Sequence, residues 1–126
     1  MKQIDFAAAE HLAAVAKILG LAGVPRRCVV TKRAMEDIVK LGLTREAVLE
    51  EVCDHLEAQK PTYVLMQTSG LEAYVLLPCS VDVHELYVKV QVPPCKRERD
   101  EVLVIISSHK PKFEPPKGKI DAKRKK

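Results

Sequence analysis

Between Asp5 and Leu21 the apolar residues Phe6, Ala9, Leu12, Ala13, Ala16 and Leu19 recur at spacings of three and four, with Ile18 one step off and Glu10 and Lys17 on the other side. A period of about 3.6 residues puts such positions on one stripe, so an amphipathic helix is predicted, capped by Asp5 and stopped by Gly20 or Gly23 with Pro25. Pro25 to Cys28 reads as a connector. Thr31 opens a short second helix with the stripe Ala34, Ile38 and Leu41, and Gly42 stands where a left-handed residue ends it. Thr44 caps a third helix, with Val48, Leu49, Val52, Cys53 and Leu56 inward, and Lys60-Pro61 ends it. Two helices joined by Gly42-Leu43-Thr44 are the outline of a DNA-reading pair. The outward face of the second, however, carries Glu46, Glu50, Glu51, Asp54 and Glu57, which phosphate would repel.

After Pro61 the period changes. Thr62 to Thr68, Glu72 to Leu77, Glu85 to Val92 and Glu101 to Ser107 are short runs rich in Val, Ile, Leu, Tyr and Thr, and are predicted as four strands. Ser69-Gly70 marks a tight turn, whereas Pro78-Cys79-Ser80 and Pro93 to Asp100 read as longer polar connections. In the third run Leu86, Val88, Val90 and Val92 share one face, and Tyr87, Lys89 and Gln91 share the other. One face is therefore core and the other is available. The predicted fold is α+β, with N-terminal helices packed on a small antiparallel sheet in a single domain over residues 1–110, and a basic, disordered tail over 111–126.

Composition fits that picture: 126 residues, 47% hydrophobic and 30% charged, allow one globular core and are too apolar for a wholly disordered chain. The net charge of +4 conceals an asymmetry. Lys110 to Lys126 hold eight basic and two acidic residues, net +6, and the preceding residues hold thirteen basic and fifteen acidic, net −2. Attraction to nucleic acid therefore has its long-range source in the tail, whose Lys110, Lys112, Lys117 and Lys119 are candidate nucleic-acid contacts; the alternative is a solvated terminus. Asp5, Glu10, His11 and Lys17 interrupt the first apolar stretch, so neither a secretory leader nor a membrane span is expected. Cys28, Cys53, Cys79 and Cys95 form no C-x-x-C pair, which leaves no metal-site spacing. A cytoplasmic protein with free thiols, and with Cys28 and Cys53 as small core residues, is the resulting expectation.

The chain has no glycine-rich phosphate loop, nucleophile elbow, H-E-x-x-H or dinucleotide fingerprint. His11, His55 and His84 read as surface or capping histidines, whereas His109 follows a strand, where a scaffold can present a titrating group to a substrate. Neighbouring strands can bring His109 near Lys89, with Tyr63, Tyr74 and Tyr87 on the same sheet. Those side chains include the parts that RNA cleavage needs: a base for the 2′-hydroxyl, an acid for the leaving 5′-oxygen and a cation for the phosphate, with no metal or cofactor.

The order of elements adds to this. Val29-Val30-Thr31-Lys32-Arg33-Ala34 enters one helix, Leu41-Gly42-Leu43-Thr44-Arg45 enters another, and the strands Leu86 to Val90 and Val102 to Ser107 follow. This pattern, over roughly Val29 to Lys110, resembles the MqsR-type toxins of the RelE-like mRNA interferase superfamily. Their strand signature F-Y-K-S-M-T-T corresponds to Thr62-Tyr63-Val64-Leu65-Met66-Gln67-Thr68, with Val64 at the family's lysine, and their W-Q-D-V-Y corresponds to Glu72-Ala73-Tyr74-Val75-Leu76. Their terminal S-F-K corresponds to Ser107-Ser108-His109. Small RelE-like domains, sometimes encoded beside a zinc-finger partner, share the helix pair and an element like Glu85 to Val90. The resemblance implies a RelE-like fold, metal-independent cleavage of mRNA from the sheet face, and an antitoxin protein as partner. Catalysis would fall to His109 and Lys89, with Tyr63 near the scissile bond. The alternative from another class is a non-catalytic RNA- or protein-binding module of the same fold.

Overall fold

The computed structural model describes residues 1–111, and all structural statements below concern these. In chain order the elements are β1 (Lys2–Gln3), α1 (Ala9–Ala22), a 3-10 turn (Pro25–Arg27), β2 (Cys28–Val30), α2 (Lys32–Lys40) and α3 (Arg45–Glu57). They continue with β3 (Thr62–Met66), β4 (Glu72–Val81), β5 (His84–Gln91), a second 3-10 turn (Glu98–Asp100) and β6 (Leu103–His109). The architecture is α+β, as expected, but the sheet is larger and mixed: six strands in the order β1-β3-β4-β5-β6-β2, with β2 parallel to β6 and every other pair antiparallel. The expected wholly antiparallel sheet is thus corrected. Cys28 to Val30 are too few residues to show a period and pair with Leu103 to Ile105, far along the chain, so no local signal marks them.

Two helix starts follow from threonine. The Thr31 hydroxyl accepts from the Ala34 N–H at 3.2 Å and the Thr44 hydroxyl from the Ala47 N–H at 3.1 Å, each satisfying a donor that has no intrahelical partner. Gly42, at φ 73°, ends the α2 turn in the left-handed region. Asp5 is displaced from its expected role: its carboxylate accepts from the Ala7 N–H at 2.9 Å, and α1 begins only at Ala9, after Ala8. β4 runs through Pro78-Cys79-Ser80 instead of breaking there into a connection, because Cys79 and Val81 carry on the buried side. The Pro78 position is tolerated at a register shift between Leu76 and Cys79. The β4–β5 hairpin instead turns at Asp82-Val83, with Asp82 at φ 57°.

One face of the sheet makes the core. Leu76, Leu86, Val88, Val90, Leu103 and Ile105 are buried from the strands, and Ile18, Ile38, Val48, Val52 and Leu56 from the three helices. Each such side chain contributes roughly 1.5–3 kcal/mol relative to exposure. Arg45 ties α3 to the β2 edge, donating to the carbonyls of Pro25 at 2.8 Å and Cys28 at 3.1 Å. Arg27 donates to the carbonyls of Glu98 and Glu101, and Lys17 pairs with Glu101 at 2.8 Å, which fixes the approach to β6. No helix among the described residues is long and apolar enough to cross a membrane.

Candidate functional site

The face of the sheet turned away from the helices is built by strand alternation. On β5, Leu86, Val88 and Val90 enter the core, so Tyr87, Lys89 and Gln91 stand on the other side. Directly opposed residues share a face, and one row runs across the sheet as Gln3, Tyr63, Val75, Lys89 and Ser107. In the neighbouring row Tyr87 faces His109, and their rings stack with centroids 5.1 Å apart and 10° between planes. Lys89, Ser107, His109 and Tyr87 thus form one cluster at the C-terminal end of β6.

The helix layer completes the site from its edge. Because β2 runs parallel to β6 and stops at Val30, α2 continues beside the second half of β6. Its outward stripe Arg33, Asp37 and Lys40 lines a groove of about 590 Å³ together with Lys89, Ser107, His109 and Lys110. Arg33, Lys40, Lys89 and Lys110 bring four cations to this groove against the single carboxylate of Asp37, and among the described residues none of the four makes an ion pair. Lys89, Ser107 and His109 also line a second, apolar cleft of about 490 Å³ with Leu65, Leu77 and Tyr87, so they form the wall between a cationic and an apolar compartment.

Hydrogen bonding sets the chemistry of the imidazole. His109 Nδ1 lies 2.7 Å from the Lys110 carbonyl. A carbonyl only accepts, so Nδ1 carries a proton and donates, and in the neutral ring Nε2 is the nitrogen with the free lone pair. Burial pushes the Tyr87 phenol above its usual range, which keeps it protonated at neutral pH as a hydrogen-bond donor.

The structure brings together two of the three residues nominated for catalysis. Lys89 and His109 share the groove, but Tyr63, on the same face, is two strand spacings from Lys89, about 10 Å, and lines neither compartment. Val64, matched to the family's lysine, packs against the core on the helix side, so a side chain at that position points away from the groove. Tyr74 also faces the helices, its hydroxyl 3.4 Å from His11 Nδ1. Lys110 is exposed at the groove, and Lys112, Lys117 and Lys119 lie outside the described residues. Sequence reasoning missed Arg33, Lys40 and the stacking role of Tyr87. The spacing of Arg33, Asp37 and Lys40 on the polar side of α2 was the available signal.

Three other titrating groups are enclosed in the fold. His55 is not at the surface: it is buried, and its Nε2–H donates to the Pro61 carbonyl at 2.9 Å. Cys28 and Cys79 are buried, and burial pushes the Cys79 thiol up to about 12, so it stays protonated. Among the described residues no group of three His, Cys, Asp or Glu is placed to hold a metal ion. Comparison with protein-family models, with curated proteins and with solved structures gave no match.

Proposed function

We propose that this protein is an mRNA-cleaving endoribonuclease of the toxin-antitoxin type, acting in the groove between α2 and the end of β6. The observation that carries the reading is the presence of Lys89 and His109 on one sheet face, inside a groove whose charged side chains are four cations and one acid. A phosphodiester is a ligand of matching charge. In this reading His109 Nε2 takes the proton of the 2′-hydroxyl as its oxygen attacks phosphorus. Lys89 stabilises the charge growing on the non-bridging oxygens and supplies the proton for the departing 5′-oxygen, which leaves a 2′,3′-cyclic phosphate. Arg33, Lys40 and Lys110 hold the flanking phosphates, and an antitoxin would act by covering the groove.

The distance of Tyr63 from Lys89 favours a second reading, RNA binding without cleavage. Incubating the purified protein with single-stranded mRNA in EDTA separates the two. Defined cuts with cyclic phosphate ends are expected, falling about 100- to 10,000-fold in His109→Ala. Intact RNA that nevertheless binds the wild-type protein would leave only the binding module.

A further inference from the structure

β6 changes the rule by which it shows its side chains. Leu103 and Ile105 enter the core, and so does Ser108, three residues after Ile105. Strict alternation counted from Ile105 would put Ser107 and His109 on the helix side and Ser108 on the other. The inserted residue is Ile106: Val90 pairs with Ile105, but the preceding Lys89 pairs with Ser107. That one extra residue is why His109 stands opposite Tyr87 and beside Lys89. The register has a local cost, since the buried Ser108 hydroxyl has no hydrogen-bond partner among the described residues.

A bulge disrupts the ladder around it and needs main-chain groups satisfied from elsewhere. Thr31 meets it there. Its main-chain N–H donates to the Ile105 carbonyl at 3.1 Å, and its hydroxyl donates to the Ile106 carbonyl, also at 3.1 Å. The same hydroxyl accepts from the Ala34 N–H at 3.2 Å and so caps α2. We propose that Thr31 is the positioning residue of the site: its hydroxyl fixes the Ile106 bulge and thereby turns His109 onto the face that carries Lys89 and Tyr87. The kinetic consequence rests on the cleavage reading above; the geometric one does not.

Three variants test it. Thr31→Val removes donor and cap acceptor at nearly constant volume, and Thr31→Ser keeps both. Thr44→Val removes the equivalent cap of α3, where the Thr44 hydroxyl accepts from Ala47 and bonds no strand. Stacking on Tyr87 displaces the His109 ring protons upfield in the NMR spectrum, a displacement assigned by its loss in Tyr87→Leu. Thr31→Val is expected to lose most of it, while Thr31→Ser and Thr44→Val retain it. In EDTA, kcat for RNA cleavage falls about 100-fold in Thr31→Val, as a misplaced reacting group predicts, with KM changed less than about twofold. Should Thr31→Val not fold, Thr31→Asp, which keeps the cap acceptor and lacks the donor, takes its place. An unchanged displacement in the folded variant, or an equal loss in Thr44→Val, overturns the proposal. A wild type that leaves RNA intact removes the cleavage reading, and the NMR comparison still decides the role of Thr31.

Discussion

His109 and His55 both donate a ring N–H to a main-chain carbonyl, at 2.7 Å to Lys110 and 2.9 Å to Pro61, yet only one faces a groove. His55 is enclosed, and burial holds it below its usual pKa; the Pro61 bond opposes the shift and the Lys60 charge adds to it. Its Nδ1 has no partner among the described residues, so a proton there would be buried and unpaired. The unfolded chain binds a proton at about pH 6.5, and the folded one only at lower pH. Stability owed to neutral His55 is therefore fully present above about 6.5 and is lost as the pH falls towards the folded value. The urea midpoint should drop from about pH 7.5 to about pH 5.5, and the drop should shrink in His55→Gln, whose amide still donates to Pro61 but does not titrate. An equal drop in both proteins would assign the acid sensitivity elsewhere. The stacked ring of Tyr87 makes a separate prediction: Tyr87→Leu should slow cleavage by leaving His109 free to turn, while Tyr63→Phe, two strands from Lys89, should leave the rate within about twofold.

At the scale of elements, the helices were legible because each carries its stripe and two carry threonine caps, and β5 was legible because Leu86 to Gln91 alternate strictly. What escaped has one physical cause. β1, β2 and the β6 bulge are defined by partners far along the chain, Lys2 with Val64, Cys28 with Leu103, Thr31 with Ile106, and a local pattern holds no trace of such pairs. The end of β4 was misread because Pro78 and Ser80 signal a turn, while the deciding fact is that Cys79 meets Leu86 across the hairpin. The nearness of Lys89 to His109 could be anticipated from neighbouring strands, but their common face depends on the Ile106 bulge, which strict alternation does not contain, and Arg33 and Lys40 enter the groove only because α2 follows a parallel strand. α2 should accordingly be needed for the site. Ile38, fully buried beneath it, should cost about 2–5 kcal/mol when changed to Ala, and the same variant should weaken RNA binding more than Leu49→Ala in α3. Equal losses of binding would show that α2 adds nothing particular to the groove.

Across the whole molecule, charge is divided in a way the net value hides. The acidic residues of α3 and the cations of the groove lie on different surfaces, and Lys110 leads from the groove into a segment rich in lysine. Binding to single-stranded RNA should weaken with salt, with a slope near 0.7 per phosphate neutralised. Removing Arg33 and Lys40 together should lower that slope by roughly 1.4, and deleting Lys117 to Lys126 should lower it further if the lysines there touch RNA. An unchanged slope in the deletion would reduce that segment to a solubilising terminus.

Titrating isotope-labelled protein with a short single-stranded RNA in EDTA, and following every resonance, bears most directly on the groove as the place where RNA is held. RNA held in the groove should give saturable shifts concentrated at Lys40, Lys89, Ser107 and His109. Shifts gathered instead on Glu46, Glu50 and Glu51 of α3, or no shifts at near-physiological salt, would contradict it.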